Sequence, residues 1–363
     1  MFTVFDQQMM ARALQLAHQG LYSTMPNPRV GCVIARDGQV LGEGFTQPAG
    51  QDHAEVQALK ACLAAGRNTA GATAYVTLEP CSHYGRTPPC AKALLEAGIK
   101  RVVAAMVDPN PLVAGKGLAM LAEQGLETAS GLMANEAREL NIGFVSRMER
   151  GRPWLRLKLA SSLDGKTALL NGQSKWITGE AARKDVHRWR ARSCAMLTGS
   201  GTVLADDPEL TVRLIEAPRQ PQRIMIDTRL RVPAGAKIIA PGTLVVCGEV
   251  DDSRIEVLQA RGAEVLSLPD ERGKVDLVAL MPVLGARGFN EVMVETGAVL
   301  AGALMRLGLV DELLLYQAPV LMGDQARGLL DWPALTSMQQ CLPLQLREVR
   351  QIGNDIRMIL RPA

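Results

Sequence analysis

Along almost the whole chain, short apolar runs alternate with helical stretches that stop at glycine, and the alternation starts twice. Asp6 to His18 has helical spacing and ends at Gly20. Val30 to Arg36 and Gln39 to Phe45 flank Asp37-Gly38, a dipeptide suited to the positive φ angles of a two-residue hairpin. His53 to Ala65 then reads as a helix closed by Gly66, Ala74 to Leu78 as a strand, and Cys90 to Ala97 as a helix closed by Gly98. Arg101 to Val107 is the next strand, followed by the loop Asp108-Pro109-Asn110-Pro111 and a helix from Leu118 to Gln124. One helix, one hairpin and repeated βα units predict a three-layer α/β domain.

The charged stretch Arg147-Met148-Glu149-Arg150-Gly151-Arg152-Pro153 separates two apolar segments and marks a boundary, giving domains at residues 1–148 and 149–363. Beyond it come a strand Trp154 to Ala160, a helix Glu180 to Arg192, a strand Ala195 to Thr198 and a Gly-rich loop from Gly199 to Arg213. Further strands are predicted at Arg223 to Asp227, Leu244 to Cys247 and Val292 to Glu295, then a helix Leu300 to Leu307 and a final β pair at Leu313 to Ala318 and Leu344 to Leu360. No short-period repeat or low-complexity segment interrupts this pattern, which excludes solenoids.

Charge and composition narrow the function. Lys+Arg 40 against Asp+Glu 37 leaves a net charge of +3, and aromatics are 4% of 363 residues, so neither a basic stripe nor a base-stacking platform is indicated. No apolar run reaches the length of a membrane span, and the N-terminus has no basic stretch before an apolar core, so a cytoplasmic protein is expected. Of seven cysteines, Cys32, Cys62, Cys194, Cys247 and Cys341 sit among apolar or small neighbours and are expected to be buried thiols.

Cys81 and Cys90 differ. His53 and Glu55 lie at a helix start, Cys81 follows a strand, and Cys90 opens the next helix. A nucleobase deaminase needs three protein ligands on Zn²⁺, an open fourth position for water and a nearby carboxylate that is not a ligand. His53, Cys81 and Cys90 supply the ligands and Glu55 the proton shuttle. Taken singly, Asp52 to Glu55 equally fits a capping box and each cysteine a core position; the conjunction in this order favours the metal site. Two rivals remain: a nucleic-acid-editing deaminase with a C-terminal binding module, and a zinc-stabilised interaction protein in which His83 closes the metal site as a fourth ligand.

In the second half, Gly199-Ser200-Gly201-Thr202-Val203-Leu204 lacks the third glycine of a Rossmann fingerprint. Val294-Glu295-Thr296-Gly297 runs from a strand into a helix, which suits a phosphate cradle or a mere turn. Lys158 is the candidate for polar work on a reacting sugar, with Asp206 as its partner; an exposed strand residue is the bland alternative. Arg190 and Arg213 suit a substrate phosphate, although Arg190 equally fits a solvated helix face.

His53-Ala54-Glu55 and Thr77-Leu78-Glu79-Pro80-Cys81-Ser82-His83 resemble the cytidine deaminase superfamily, with eight residues between the cysteines where most members have two. With that insert, Pro26-Asn27-Pro28-Arg29-Val30-Gly31 and Asp108-Pro109-Asn110-Pro111, the first half resembles the deaminase part of the riboflavin-pathway bifunctional deaminase-reductases. Ser162-Leu163-Asp164-Gly165, Trp176-Ile177-Thr178, Leu204-Ala205-Asp206-Asp207-Pro208 and Glu295-Thr296-Gly297 resemble the reductase part. The resemblance implies a cytidine-deaminase-like domain followed by a dihydrofolate-reductase-like domain, with zinc and NADPH as cofactors and phosphoribosylated pyrimidines as substrates. It implies cofactor contacts at Ala160, Trp176, Thr202, Asp206, Thr228, Gly297, Ala298, Val299, Leu300, Ala301, Gly302 and Ala303. Substrate contacts are implied at Ser174, Arg190, Leu210, Arg213 and Glu295, and on the deaminase side at Asn27, His83, Arg86 and Asn110. Arg86 and the two Asn also suit a loop charge and Asx turns. Neither a nucleic-acid nor a membrane partner is expected, and paired sites suggest a homodimer or homotetramer.

Overall fold

Asp37 and Gly38 take φ of 53° and 76° and join β1 (Gly31–Arg36) to β2 (Gln39–Phe45) as an antiparallel hairpin. The hairpin belongs to the first of two units, Met1–Gly151 and Arg152–Ala363, in a computed structural model that describes residues 1–82 and 89–363. It is preceded by α1 (Val4–Gln19), where Thr3 and Asp6 cap each other's backbone N–H. After it come α2 (Ala54–Ala64), β3 (Thr73–Val76), α3 (Cys90–Glu96), β4 (Arg101–Ala104), α4 (Lys116–Glu123), β5 (Glu127–Ser130), α5 (Ala134–Leu140) and α6 (Ile142–Arg150). The sheet order is β2-β1-β3-β4-β5, with β3, β4 and β5 mutually parallel.

Glycines set the layers of this unit. A Cβ at Gly31 would lie 1.9 Å from the Ala13 carbonyl oxygen in α1, and one at Gly44 would lie 2.5 Å from both Ala54 O and Ala58 N in α2. Because Cys32 pairs with Gly44 and Ile34 with Gly42, strand alternation puts these two glycines on the face opposite Gly31. The helices therefore cover opposite faces of the sheet, and Val33, Ile34, Val76, Leu94, Val102 and Val103 fill the core between them.

The second unit contains β6 (Trp154–Ser161), β7 (Lys166–Ala168), α7 (Glu180–Arg192), β8 (Ala195–Gly199), α8 (Ser200–Asp206), β9 (Gln222–Ile226), β10 (Leu244–Cys247), α9 (Asp252–Gln259) and β11 (Glu264–Ser267). It continues through α10 (Leu277–Ala286), β12 (Glu291–Glu295), α11 (Ala298–Arg306), β13 (Glu312–Gln317), β14 (Arg327–Gly328), β15 (Leu344–Ile352) and β16 (Asp355–Pro362). The main sheet runs β11-β10-β9-β8-β12-β6-β13-β16-β15. All pairings up to β13 are parallel, and the last two are antiparallel. These are the two α/β folds that the resemblance implies.

The charged stretch at the boundary is helical over Arg147 to Arg150: Phe144 and Val145 bury one face of α6, and Gly151 ends the helix at φ 67°. Three local expectations are corrected. Within the expected Gly-rich loop, Ser200 to Asp206 is helical, anchored by buried Val203. Leu344 to Leu360 is two strands turning at Gly353-Asn354, where Gly353 has φ 65°. Cys341, expected to be buried, is exposed, because residues 331–343 lie almost entirely on the surface. Among the described residues no helix is long and apolar enough to cross a membrane.

Candidate active sites

In the first unit, the N-terminus of α2, the exit of β3 and the N-terminus of α3 converge. His53 is the residue before α2, Glu55 lies in its first turn, and Cys90 is the first residue of α3. Asp52 does not form the alternative capping box; its carboxylate accepts from Gln57 Nε2 at 2.9 Å and pairs with Lys60 Nζ at 2.5 Å. The chain returns from Cys90 onto Cys81: the Cys90 N–H donates to Cys81 Sγ at 3.3 Å and the Ala91 N–H to the Cys81 carbonyl at 3.2 Å.

His53 Nδ1 lies 3.7 Å from Cys81 Sγ and 3.3 Å from Cys90 Sγ, and the three donor atoms all fall within 4.8 Å of one another. Zn–S and Zn–N bonds of about 2.3 and 2.0 Å imply tetrahedral edges of roughly 3.5–3.8 Å, so the donor set fits zinc. Cys81 is held as a thiolate, its pKa lowered to about 4, first by the Cys90 thiol and then by His53 and the Cys90 amide. Cys90 is pushed up, first by the neighbouring Cys81 and then by burial. One negative charge therefore satisfies this pocket until a dication stabilises both sulfurs.

Glu55 is 4% exposed. Burial first, and the charge on Cys81 second, raise its pKa to about 7, and its carboxyl hydrogen-bonds Cys90. It is thus a carboxyl beside the metal-ligand set and poised between protonation states. Asn27 is half-buried. Asn110 forms an Asx turn, with Oδ1 accepting the Leu112 N–H at 3.1 Å; its amide NH₂ remains a donor. His83 and Arg86 lie outside the described residues. Glu79 received no role from the sequence, yet its buried carboxylate accepts four backbone N–H groups.

In the second unit, β6 and β12 pair Lys158 with Glu295 in register. Glu295 takes a bidentate pair from Arg190, at 2.6 and 2.9 Å, and Arg190 Nη1 donates to the Thr211 carbonyl at 2.9 Å. Burial opposes ionisation of Glu295, but Arg190, with Lys158 and His187, holds its pKa at about 2. Lys158 is lowered, by burial first, with Arg190 adding to the effect and Glu295 opposing it. Asp206 is not its partner: Asp206, the last residue of α8, pairs with Lys175 Nζ at 2.9 Å. His187, missed in the sequence, stands one helical turn before Arg190, and its Nδ1 accepts the Arg213 N–H at 3.1 Å. The i, i+3 spacing on α7 was the available signal.

Of the remaining expected cofactor positions, Thr202 follows β8, Thr228 follows β9 and Gly297 to Ala303 follow β12, while Ala160 lies in β6 and Trp176 precedes α7. The Gly297 N–H donates to Thr202 Oγ1 at 3.0 Å. A Cβ at Gly201 would meet nothing within 4 Å, and one at Gly297 only Thr202 Oγ1 at 3.8 Å. Both backbones thus border open space beside the first turn of α11, a cradle that fits a dinucleotide phosphate. Ala298, Val299, Leu300 and Ala303 are at least partly accessible, whereas Ala301 and Gly302 are buried, Gly302 against the Asp331 carbonyl. Trp176 is 69% exposed, with the Arg183 guanidinium 4.6 Å from its ring centre. Ala160, Ser174 and Thr228 are half-buried, Arg213 is exposed, and buried Leu210 holds φ of 52°.

Comparison with known proteins gives a consistent result for both units. Residues 3–106 match the cytidine and deoxycytidylate deaminase zinc-binding region, and residues 153–358 match the RibD C-terminal domain. The riboflavin biosynthesis protein RibD of Escherichia coli is 49% identical over 97% of this chain and 98% of its own; that of Bacillus amyloliquefaciens is 42% identical over 98% and 96%. The solved structure of Acinetobacter baumannii RibD superposes with a TM-score of 0.89 at 46% identity, covering 99% of both chains. The Thermotoga maritima structure described as a diaminohydroxyphosphoribosylaminopyrimidine deaminase/5-amino-6-(5-phosphoribosylamino)uracil reductase gives 0.86 at 31% identity, also covering 99% of both.

Proposed function

Since the chain belongs to the RibD family of riboflavin biosynthesis, we propose that it carries out two successive reactions on one phosphoribosylated pyrimidine. It is a zinc-dependent deaminase and an NADPH-dependent reductase. The first unit hydrolyses the C2 amine of 2,5-diamino-6-(5-phosphoribosylamino)pyrimidin-4(3H)-one; the second reduces the ribosyl group of 5-amino-6-(5-phosphoribosylamino)uracil to ribityl. The observation that carries this reading is the convergence of His53, Cys81 and Cys90 to within 4.8 Å beside the buried carboxyl of Glu55.

Zinc held by these three residues supplies a Lewis acid that makes water nucleophilic at neutral pH. Glu55 accepts the proton of the attacking water and delivers it to the ring nitrogen; it then takes the second proton from the hydroxyl added at C2 and passes it to the amine, which leaves as ammonia as the C2 carbonyl forms. Asn27 and the free amide of Asn110 address the base edge; His83 and Arg86 complete the substrate contacts.

The second unit would bind NADPH, which when bound would supply the hydride for C1′ of the opened sugar. Thr202, Gly297 and the first turn of α11 would hold its phosphates, with Ala160, Trp176, Asp206 and Thr228 as the further contacts. Lys158, its ammonium destabilised by burial, donates a proton toward the sugar nitrogen or ring oxygen. Arg190 is committed to Glu295, so the pair acts as one rigid wall of the substrate site, and exposed Arg213 is left to meet the phosphate. Ser174 and Leu210 line the same site. Asp206 acts from the cofactor side, through Lys175. Seven free cysteines suit a reducing cytoplasm. The exposed Leu346 and Val349 of edge strand β15 suit a homodimer or homotetramer.

The test is one incubation of the purified protein with the diaminopyrimidine ribotide and NADPH. Ammonia release followed by NADPH oxidation supports the reading; NADPH oxidation without ammonia, or neither, contradicts it.

A further inference from the structure

Glu79 lies two residues before the ligand Cys81 and is 3% exposed. Its Oε2 accepts the N–H of Asp108 at 3.1 Å and of Gly115 at 2.8 Å. Its Oε1 accepts the N–H of Gly117 at 2.8 Å and of Leu118 at 3.2 Å. Both feet of the 108–115 loop thus stand on one oxygen, while the other oxygen caps the first turn of α4.

Between those feet the loop bonds within itself and to the first residue of α4, where the Lys116 N–H donates to the Val113 carbonyl at 2.8 Å and Lys116 Nζ to the Leu112 carbonyl at 3.1 Å. The Asn110 N–H donates to Asp108 Oδ1 at 2.8 Å, the Asn110 carbonyl accepts from Val113 and Ala114 at 2.9 Å each, and Asn110 Oδ1 accepts from Leu112. The loop is therefore internally braced, with Val113 buried, and Glu79 is the side chain that joins both of its feet to the segment carrying Cys81. The anchor is close to the metal ligands: a Cβ at Gly117 would lie 1.9 Å from the Pro80 carbonyl oxygen, so α4 rests on the residue next to Cys81. A buried carboxylate receiving four backbone donors is a strong, directional clamp.

We propose that Glu79 is a positioning residue for deamination: it fixes the Asn110 loop against the Pro80-Cys81 segment, and so sets the affinity for the aminopyrimidine base without setting the metal. In Glu79→Gln the side-chain nitrogen cannot accept, which orphans one pair of N–H groups and frees either the loop feet or the α4 cap. The inference rests on the deaminase reading above.

The experiment measures zinc content and deaminase steady-state kinetics of full-length wild type and Glu79→Gln, with rates expressed per zinc-loaded site. Wild-type ammonia release tests the function itself. Given that release, the variant should keep zinc, raise KM for the diaminopyrimidine roughly 10- to 100-fold, as expected for a displaced binding group, and change kcat little. An unchanged KM, or an activity loss that tracks lost zinc alone, overturns the proposal. Hydrogen exchange on the wild-type holoenzyme decides independently, including where the variant does not fold. The Asp108 and Gly115 amides should exchange as slowly as those of β4; exchange at open-loop rates overturns the clamp.

Discussion

Glu55 and His187 show what burial does to a titratable side chain in opposite senses. Glu55 is raised, so it can hold or release a proton near neutrality. Glu55→Gln keeps the volume but cannot shuttle, and metal analysis should find one zinc per chain while ammonia release falls at least ~10²-fold; near-wild-type turnover would remove Glu55 from the proton path. His187 is lowered from 6.5 to about 4 by burial and by the charges of Arg190 and Arg213. The folded protein therefore resists protonation that the unfolded chain accepts. The second unit should lose stability as pH falls from 6.5 toward about 4 and level off below. It holds no other histidine, so urea midpoints at pH 7 and 5 isolate the effect. His187→Gln keeps an acceptor for the Arg213 N–H and should flatten this slope; an equal slope in both proteins sinks the assignment. The zinc trio was legible in the sequence because each ligand sits where a strand or helix begins or ends. Pairings such as Asp206 with Lys175 were not, since a partner's distance is set by the turn of a helix that the glycines at 199 and 201 concealed.

At the scale of elements, periodicity located most strands and helices, and turn chemistry located the first hairpin. The Gly353-Asn354 dipeptide carried the same kind of signal for β15 and β16, but the near-continuous run of β formers around it reads as one strand. Arg156 illustrates what periodicity cannot supply. It is fully buried between Glu312 at 2.5 Å and Glu291 at 3.0 Å, a compensation visible only once β6 lies between β12 and β13. The layer contacts are testable at Gly44, where a Cβ would meet the α2 backbone at 2.5 Å. Gly44→Ala should push α2 off the sheet, lower first-unit stability by about 1–3 kcal/mol and weaken zinc binding through His53. Chemical denaturation and zinc titration check both effects; an unchanged midpoint and affinity would mean that α2 docks elsewhere.

For the whole molecule, the central claim is that one chain carries two chemically independent sites used in sequence. An alternation that starts twice and the charged stretch between pointed to two units, and the structure divides them at Gly151/Arg152. The sites share no residue: the metal ligands fall at 53, 81 and 90, and the Lys158, Arg190 and Glu295 cluster lies wholly in the second unit. Removing a soft thiolate should therefore abolish the first reaction and spare the second. The direct measurement is Cys81→Ser in full-length protein, assayed with each substrate and NADPH. With the diaminopyrimidine ribotide it should release no ammonia and oxidise no NADPH; with the already deaminated pyrimidine it should oxidise NADPH at the wild-type rate. Ammonia release by this variant with zinc retained, or a reductase rate that falls together with the deaminase rate, would contradict the account.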